Sequence, residues 1–342
     1  MSKRTMVRLY LIAAILAWGV VSLGAFVRLS DAGLGCPDWP GCYGHIGVPS
    51  ETQDVAKATA AFPERPVEAH KAWKEMIHRY VAGTLGLLIL LIAILSWVRR
   101  RDPEQATVLP WFLVGLVIFQ ALLGMWTVTL LLKPLVVVAH LLGGMTILAL
   151  LWWLMLRMSG WLLKPSWVTL VNKVSHLRSL AIIAIAVVIV QIFLGGWTSA
   201  NYAALACTDF PTCHGQWWPA NMNFAEGFTF WHEIGKSYEF GIFSPEARTA
   251  VHVIHRVGAL ITFLVIAWLA LRLFFANLNY PTAIKVAIVT MVLLLLQISL
   301  GTANVVHSLP LGVAVAHNAV ASLLLLAVIT FNHLLNPLNP IT

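Results

Sequence analysis

Long apolar runs separated by short polar segments dominate the hydropathy pattern of the chain. Eight of these runs are long enough to cross a bilayer as a helix, which takes about 20 residues. They lie near 9–29, 76–98, 108–132, 134–156, 177–199, 250–275, 282–305 and 311–335. The first run could be mistaken for a signal peptide, but it continues to about Val27 without an Ala-x-Ala-like cleavage site. The pattern therefore predicts an all-α polytopic membrane protein with eight transmembrane helices.

Composition agrees with this prediction. Of the 342 residues, 59% are hydrophobic and only 11% are charged, whereas a soluble protein has about a quarter of its residues charged. The net charge of +8 raises the question of nucleic acid binding. We exclude that partner because the basic residues lie in short clusters beside apolar runs. We therefore expect the chain to be embedded in a lipid bilayer.

The basic clusters also predict the orientation of the chain. They fall at the N-terminus and after the second, fourth and sixth predicted helices, so they share one side, which the positive-inside rule makes cytoplasmic. Both termini are then inside, and the long connections 30–75 and 200–249 are outside. Because no Arg- and Ser-rich transit peptide precedes the first helix, we expect a bacterial plasma (inner) membrane. The clusters are Lys3/Arg4/Arg8, Arg99/Arg100/Arg101, Arg157/Lys164/Lys173/Arg178 and Arg272/Lys285.

Each predicted outer connection contains two cysteines, Cys36 and Cys42 in the first and Cys207 and Cys213 in the second. An oxidising exterior permits disulfides, so we predict the pairs Cys36–Cys42 and Cys207–Cys213. Two reduced thiol pairs or a metal site are the alternatives. The spacing Cys-x5-Cys is poor for zinc, which favours the disulfides.

An internal repeat divides the chain into two halves. Three sets of residues recur at an offset of 177, and the two cysteine loops recur at an offset of 171. Each half contains an even number of spans, so the halves are parallel repeats, and we predict pseudo-symmetric four-helix bundles in 1–160 and 161–342. The matching motifs are His78-Arg79 with His255-Arg256, His140 with His317, Gln120-x-x-Leu123-Gly124 with Gln297-x-x-Leu300-Gly301, and Cys36-x-Asp38-x-Pro40-x-Cys42-x-Gly44 with Cys207-x-Asp209-x-Pro211-x-Cys213-x-Gly215.

A weaker motif runs through all four odd-numbered helices. A Leu-Gly pair occupies a similar depth in each, and in three of them a glutamine stands three residues before the leucine. The Leu-Gly pairs are Leu23-Gly24, Leu123-Gly124, Leu194-Gly195 and Leu300-Gly301, and the glutamines are Gln120, Gln191 and Gln297.

Four histidines stand inside the even-numbered spans: His78, His140, His255 and His317. Each lies near the outer start of its helix, on the order of 10 Å below the surface. Two histidines at one depth on neighbouring helices can ligate a haem iron from opposite faces. For a single histidine an interhelical hydrogen bond is the simpler explanation, but the duplicated arrangement favours haem, because polar residues inside a bilayer are costly.

A small residue follows each of these histidines by four positions and leaves room for a porphyrin edge on the same helix face. These small residues are Ala82, Gly144, Ala259 and Ala321. Zinc or copper would require further cysteine or carboxylate ligands at that depth. The other eight histidines lie in predicted loops or near helix ends, and we expect most of them to be solvated: His45, His70, His176, His214, His232, His252, His307 and His333.

The two halves differ next to the first histidine of each. Glu75 precedes His78 by three residues, whereas the matching residue in the second half is His252. A carboxylate beside a cofactor can stabilise positive charge or move protons, but an acid near a helix N-terminus is also favoured electrostatically. Arg79 and Arg256 follow their histidines directly, so they are candidates to pair with haem propionates or to extend towards the interface.

Together these residues resemble the haem A synthase family over nearly the whole chain. The most recognisable segments are Glu75-Met76-Ile77-His78-Arg79 and Gly33-Leu34-Gly35-Cys36-Pro37-Asp38-Trp39-Pro40. The resemblance implies an oxidoreductase that converts a methyl group of haem O to a formyl group. The product is haem A for terminal cytochrome oxidases.

The resemblance also implies separate roles for the halves. The second pair, His255 and His317, holds a resident haem b as cofactor, and the first pair, His78 and His140, binds the substrate haem O. Glu75 lies close to the reacting centre. Of the cysteines, Cys36 and Cys42 are linked to activity, whereas Cys207 and Cys213 are structural. The partners expected are the farnesyltransferase that makes haem O and an electron acceptor, and a homo-oligomer is compatible with the sequence.

Several points of mechanism stay open at this stage. An iron with two histidine ligands has no free position for oxygen, so one ligand must leave or the oxidation must proceed without oxygen on that iron. The first cysteine pair could exchange electrons or serve as a staple. Competing functions with the same histidines are a di-haem b-type cytochrome that oxidises quinol and a haem transporter or chaperone.

Overall fold

The computed structural model describes residues 2–160, 174–276 and 281–335. Within them, eight helices are long and apolar enough to cross a membrane, which confirms the predicted all-α polytopic fold. Their bounds are α1 Lys3–Leu29, α2 Ala69–Val98, α3 Val108–Thr129, α4 Pro134–Ser159, α5 Arg178–Ala200, α6 Pro245–Phe274, α7 Pro281–Val306 and α8 Leu311–Leu335. Short helices at Thr52–Ala61 and Phe224–Gly227 lie in the two long connections.

Three helices begin earlier than their apolar runs: α1 at Lys3, α2 at Ala69 and α6 at Pro245. Hydropathy does not detect these polar first turns. In α6 the usual signals of a helix start are nevertheless present: the Ser244 side chain accepts a hydrogen bond from the Ala247 amide, and Pro245 is the first residue of the helix. The connections are therefore shorter than the predicted 30–75 and 200–249. The other five spans agree with the predicted bounds within three residues.

The same pairs of neighbouring helices occur in both halves. In the first half α1 and α3 each pack against α2 and α4, and in the second half α5 and α7 each pack against α6 and α8. This arrangement is compatible with two similar four-helix bundles. The bundles meet along α1 with α8, α4 with α5, and α4 with α8.

One apolar core joins the two halves. It is formed by residues of all eight helices, mainly in the parts nearer to the predicted cytoplasmic side, and it includes Tyr10 of α1 and Phe331 of α8. Tryptophans also bond across the interface: Trp18 Nε1 donates to the Ala319 carbonyl at 3.1 Å, and Trp152 Nε1 donates to the Thr330 hydroxyl at 2.8 Å. The division at residue 160 thus describes the sequence repeat, and the packing of the described residues is continuous across it.

Both predicted disulfides are present, with S–S distances of 2.04 Å for Cys36–Cys42 and 2.08 Å for Cys207–Cys213. The two loops share a fold in which an aspartate inside the disulfide ring accepts the backbone N–H groups of the two residues that follow the second cysteine. Asp209 bonds the Thr212 hydroxyl and the Gly215 amide, and these bonds hold the pKa of its carboxyl well below its usual value. In the first loop the aspartate, Asp38, bonds the amides at positions 43 and 44.

Candidate functional site

A cavity of about 1150 Å³ opens between the four helices of the first half and the first cysteine loop. This volume is slightly larger than the range of about 300–1,000 Å³ that is usual for small-molecule sites, and it suits a ligand of haem size. Its wall includes the predicted site residues His78, His140, Glu75 and Arg79. The structure therefore places these four side chains around one space.

A glycine from an odd-numbered helix contacts each of the four histidines. A Cβ atom built on Gly24 would lie 3.0 Å from Cε1 of His78, and one built on Gly195 would lie 3.1 Å from Cε1 of His255. Gly124 and Gly301 have the same relation to the histidines of α4 and α8, at 3.3 and 3.1 Å. The repeated Leu-Gly motif therefore has a physical cause, because a larger residue would push the imidazole aside.

The glutamines of that motif lie beside the same histidines. Gln191 Nε2 lies 3.0 Å from Nδ1 of His255, and Gln297 Nε2 lies 3.2 Å from Nε2 of His317. Gln120 Nε2 instead donates to the backbone carbonyl of His140 at 2.8 Å. The spacing of the motif does not predict this position of the glutamines, because spacing alone does not show which helices touch.

Three of the four histidines have a buried ring nitrogen that is available to bind a metal. The Nδ1 atoms of His78, His140 and His317 are buried and have no hydrogen-bond partner among the described residues. A buried polar atom without a partner requires an explanation, and a missing ligand is one. Two imidazoles on the wall of one haem-sized cavity fit axial ligation of a haem iron. Their role as ligands remains a prediction.

Glu75 is buried at the outer end of the cavity, with only 5% of its surface exposed. One carboxylate oxygen accepts the Cys36 amide N–H at 3.0 Å, and the other accepts a hydrogen bond from the Arg79 guanidinium. Because α2 begins at Ala69, Glu75 lies beyond the first turn, so favourable charge at a helix N-terminus does not explain it. The carboxylate instead connects the cysteine loop to the helix that carries His78.

Arg79 and Arg256 each hold a cysteine loop. Arg79 donates to the backbone carbonyls of Asp38, Pro40 and Gly41, and Arg256 donates to those of Cys207, Asp209 and Thr212. These bonds place both loops over the outer ends of α2 and α6. Pairing with haem propionates, predicted from the sequence, stays a prediction.

The expectation that most of the other histidines are solvated is correct for five of eight and wrong for His252, His232 and His333, which are buried. His252, the counterpart of Glu75, has its Nδ1 atom 2.9 Å from the Ala203 carbonyl. His232 packs against an aromatic cluster around Trp197. That cluster could not be anticipated because it depends on how the second outer connection folds back onto α5.

Comparison with known proteins shows the family to which the chain belongs. A model of the family described as cytochrome oxidase assembly protein matches residues 7–329, which include every predicted site residue. The chain belongs to this family. It is 48% identical over 318 residues to a haem A synthase of Shewanella oneidensis, and the match covers 92% of each chain.

More distant members of the family also align along most of their length. A haem A synthase of Rhizorhabdus wittichii is 26% identical over 94% of this chain and 92% of its own. One of Bacillus licheniformis is 26% identical over 86% of this chain and 84% of its own. The resemblance inferred from the sequence motifs is thus confirmed at the level of the family.

Proposed function

We propose that this chain is a haem A synthase, which oxidises a methyl substituent of haem O to a formyl group. The observation that carries the proposal is the asymmetry of the two halves. In the first half a buried carboxylate, Glu75, shares a cavity wall with His78 and His140. In the second half the equivalent position holds His252, which bonds a backbone carbonyl. A protein that only passed electrons between two haems would not need this difference.

The shape of the cavity supports haem O as the substrate. Haem O carries a long isoprenoid tail, and the cavity wall continues along α2 and α3 through apolar residues that include Leu87, Leu90 and Ile118. Leu87 is 71% and Ile118 is 59% exposed, so this wall reaches the surface that faces lipid. A substrate dissolved in the bilayer can therefore place its porphyrin near the histidines and its tail between these helices.

The residues are assigned as follows. His78 and His140 hold the substrate haem O, whereas His255 and His317 hold a resident haem b, which would supply one-electron transfer when bound. Arg79 and Arg256 keep the cysteine loops against the outer ends of α2 and α6. The donor of haem O, the electron acceptor and the oligomeric state stay predictions from the sequence.

Glu75 is assigned to proton transfer. Conversion of the methyl group with water to a formyl group releases four electrons and four protons, by hydroxylation steps followed by loss of water. Glu75 can accept protons because it is a carboxylate on the cavity wall. Its bonds to Cys36 and Arg79 fix its position. The electrons leave to an external acceptor.

The function is tested by extracting pigments from the purified full-length chain after expression beside a source of haem O. Haem A synthase activity predicts that haem A accumulates and that a b-type spectrum remains. A di-haem cytochrome would contain haem b and make no haem A. A transporter or chaperone would release unmodified haem O on washing. Absence of haem A in the presence of bound haem O would therefore overturn the proposal.

The two disulfides are expected to differ in importance. Replacing Cys36 and Cys42 together by serine should lower haem A formation roughly tenfold or more, because the loop that presents the Cys36 amide to the Glu75 carboxylate is loosened, and a hydrogen bond to a charged group contributes about 1.5–3 kcal/mol. The matched control replaces Cys207 and Cys213, because the residue equivalent to Glu75 in that half is His252, which bonds the Ala203 carbonyl and not a cysteine amide. Equal haem A yields from the two double variants would contradict this role.

A further inference from the structure

The wall of the first-half cavity carries a positive charge that is not balanced nearby. Apart from histidines, its ionisable side chains are Arg28, Asp38, Glu75 and Arg79. Glu75 and Arg79 bond each other, and the Asp38 carboxylate accepts two backbone N–H groups of its own loop. Arg28 forms one ion pair among the described residues, a long one of 4.0 Å with Asp31, whose side chain is 45% exposed. Arg28 is therefore the cation of this wall that can bind an acidic ligand.

The guanidinium of Arg28 is held in place and still has N–H groups to donate. Its Nη2 atom donates to the Ser199 carbonyl at 2.7 Å, and its central carbon lies 4.1 Å from the centre of the Tyr202 ring. Its Nε atom is buried and has no hydrogen-bond partner among the described residues. A guanidinium has five N–H donors, so the Ser199 bond leaves others available. A buried donor without a partner requires an explanation, and an absent anion supplies one.

Arg28 lies at a suitable place for the acidic edge of a haem. Gly24, one turn earlier in α1, contacts His78, so Arg28 lies about 6 Å farther along the helix towards the predicted outer side. Its bond to Ser199 places it on the side of the cavity that faces the second half. The apolar wall of α2 and α3 instead reaches the surface that faces lipid, at residues such as Leu87. A ligand with an acidic edge and an apolar tail would therefore bind in one orientation.

The internal repeat shows that the fold does not require this arginine. At the offset of 171 that relates the cysteine loops, Gly24 corresponds to Gly195 and Arg28 corresponds to Ser199. Both glycines contact a histidine in the same way. A cation in the last turn of a helix is favourable, but α5 ends without one. The stability of the helix end thus does not account for Arg28.

We propose that Arg28 binds a propionate of the substrate haem and so sets the orientation of the ring between His78 and His140. Haem has both propionates on one edge of the ring, and an arginine–carboxylate pair fixes direction as well as affinity. Arg79 is less suited to this role, because its guanidinium already bonds three loop carbonyls and Glu75. The inference rests on the proposed function and adds a contact that recognises the substrate.

The test compares haem O with its dimethyl ester, in which neither propionate carries a charge. Full-length protein purified from cells that lack haem O is titrated with each pigment in detergent, and the change in the Soret absorbance gives the Kd. Wild-type protein should bind haem O roughly tenfold or more tightly than the ester, the effect of a hydrogen bond to a charged group. R28Q should bind both pigments with similar Kd values, whereas R28K, which keeps the charge, should retain part of the preference.

Two further variants separate recognition from a structural role. R28S introduces the residue that the second half has at this position, so the fold has a precedent for it, and it should lose the preference as R28Q does. K74Q removes another cation from the outer end of the first half, one that lies over the Phe26 ring and outside the cavity wall, and it should keep the preference. A purely structural role of Arg28 would weaken the binding of both pigments equally and leave their ratio unchanged.

Two results would overturn the inference: a wild-type protein that binds haem O and its ester equally well, or a preference that persists in both R28Q and R28S. If the same wild-type protein makes haem A, the proposed function stands and only the role of Arg28 is wrong. A wild-type protein that binds neither pigment would instead overturn the proposed function.

Discussion

Replacing Glu75 by glutamine is expected to reduce haem A formation by roughly 10²- to 10⁴-fold, the usual contribution of a positioned acid–base group. Glutamine keeps the size of the side chain and can still accept the Cys36 amide N–H, so the loop stays in place. What is lost is the negative charge beside Arg79 and the ability to take up a proton. The measurement is the ratio of haem A to haem O in extracts of the purified protein.

The matched control for this variant is His252→Gln at the equivalent position of the second half. The glutamine amide can donate to the Ala203 carbonyl as the imidazole does, so haem A formation should change less than about twofold, because one neutral hydrogen bond is exchanged for another. The b-type spectrum should persist in both variants. Normal haem A formation by the Glu75 variant would show that this carboxylate has no part in the reaction.

Replacing His317 by alanine is expected to remove the resident haem from the purified protein. Loss of an outer partner of a metal ligand already lowers metal affinity by about 10- to 100-fold, and loss of the ligand itself should exceed that. His255→Ala should have the same effect, because both imidazoles belong to one site in the proposal. By contrast, His78→Ala should keep the b-type spectrum and lose haem A formation. Quantitative haem extraction per chain distinguishes these outcomes.

His333→Ala provides a control on the same helix. His333 is also a buried histidine of α8, but it lies near the end that we predict to be cytoplasmic, far along the helix from His317. Its replacement should leave the haem content unchanged. Retention of the full b-type spectrum after His317→Ala would show that the axial ligands have been assigned to the wrong residues.

Much of the architecture follows from the sequence because a bilayer imposes simple rules. Span length and apolar composition locate all eight helices, and α8 agrees with its predicted bounds, 311–335, at both ends. The internal repeat indicates which histidines are equivalent, and the loop spacing predicts both disulfides. These features depend on local composition and on position along the chain.

Features that depend on contacts between helices could not be obtained in this way. The sequence shows Gly24 and Gln191 as parts of a motif, but only the packing shows that they touch His78 and His255. Likewise Glu75 was recognisable as an asymmetric residue, whereas its bond to the Cys36 amide depends on how the loop folds over α2. The early starts of α2 and α6 were missed because polar first turns do not contribute to hydropathy.

The position of the shared apolar core has a consequence for substrate exchange. The apolar cluster that includes Tyr10 and Phe331 joins all eight helices near the ends that we predict to be cytoplasmic. The cavity lies nearer to the ends that we predict to be outside. The contact between the two halves is therefore strongest at the end of the molecule opposite the cavity. We therefore expect that substrate can exchange between α2 and α3 without separating the two halves, because the core that joins them lies away from the cavity.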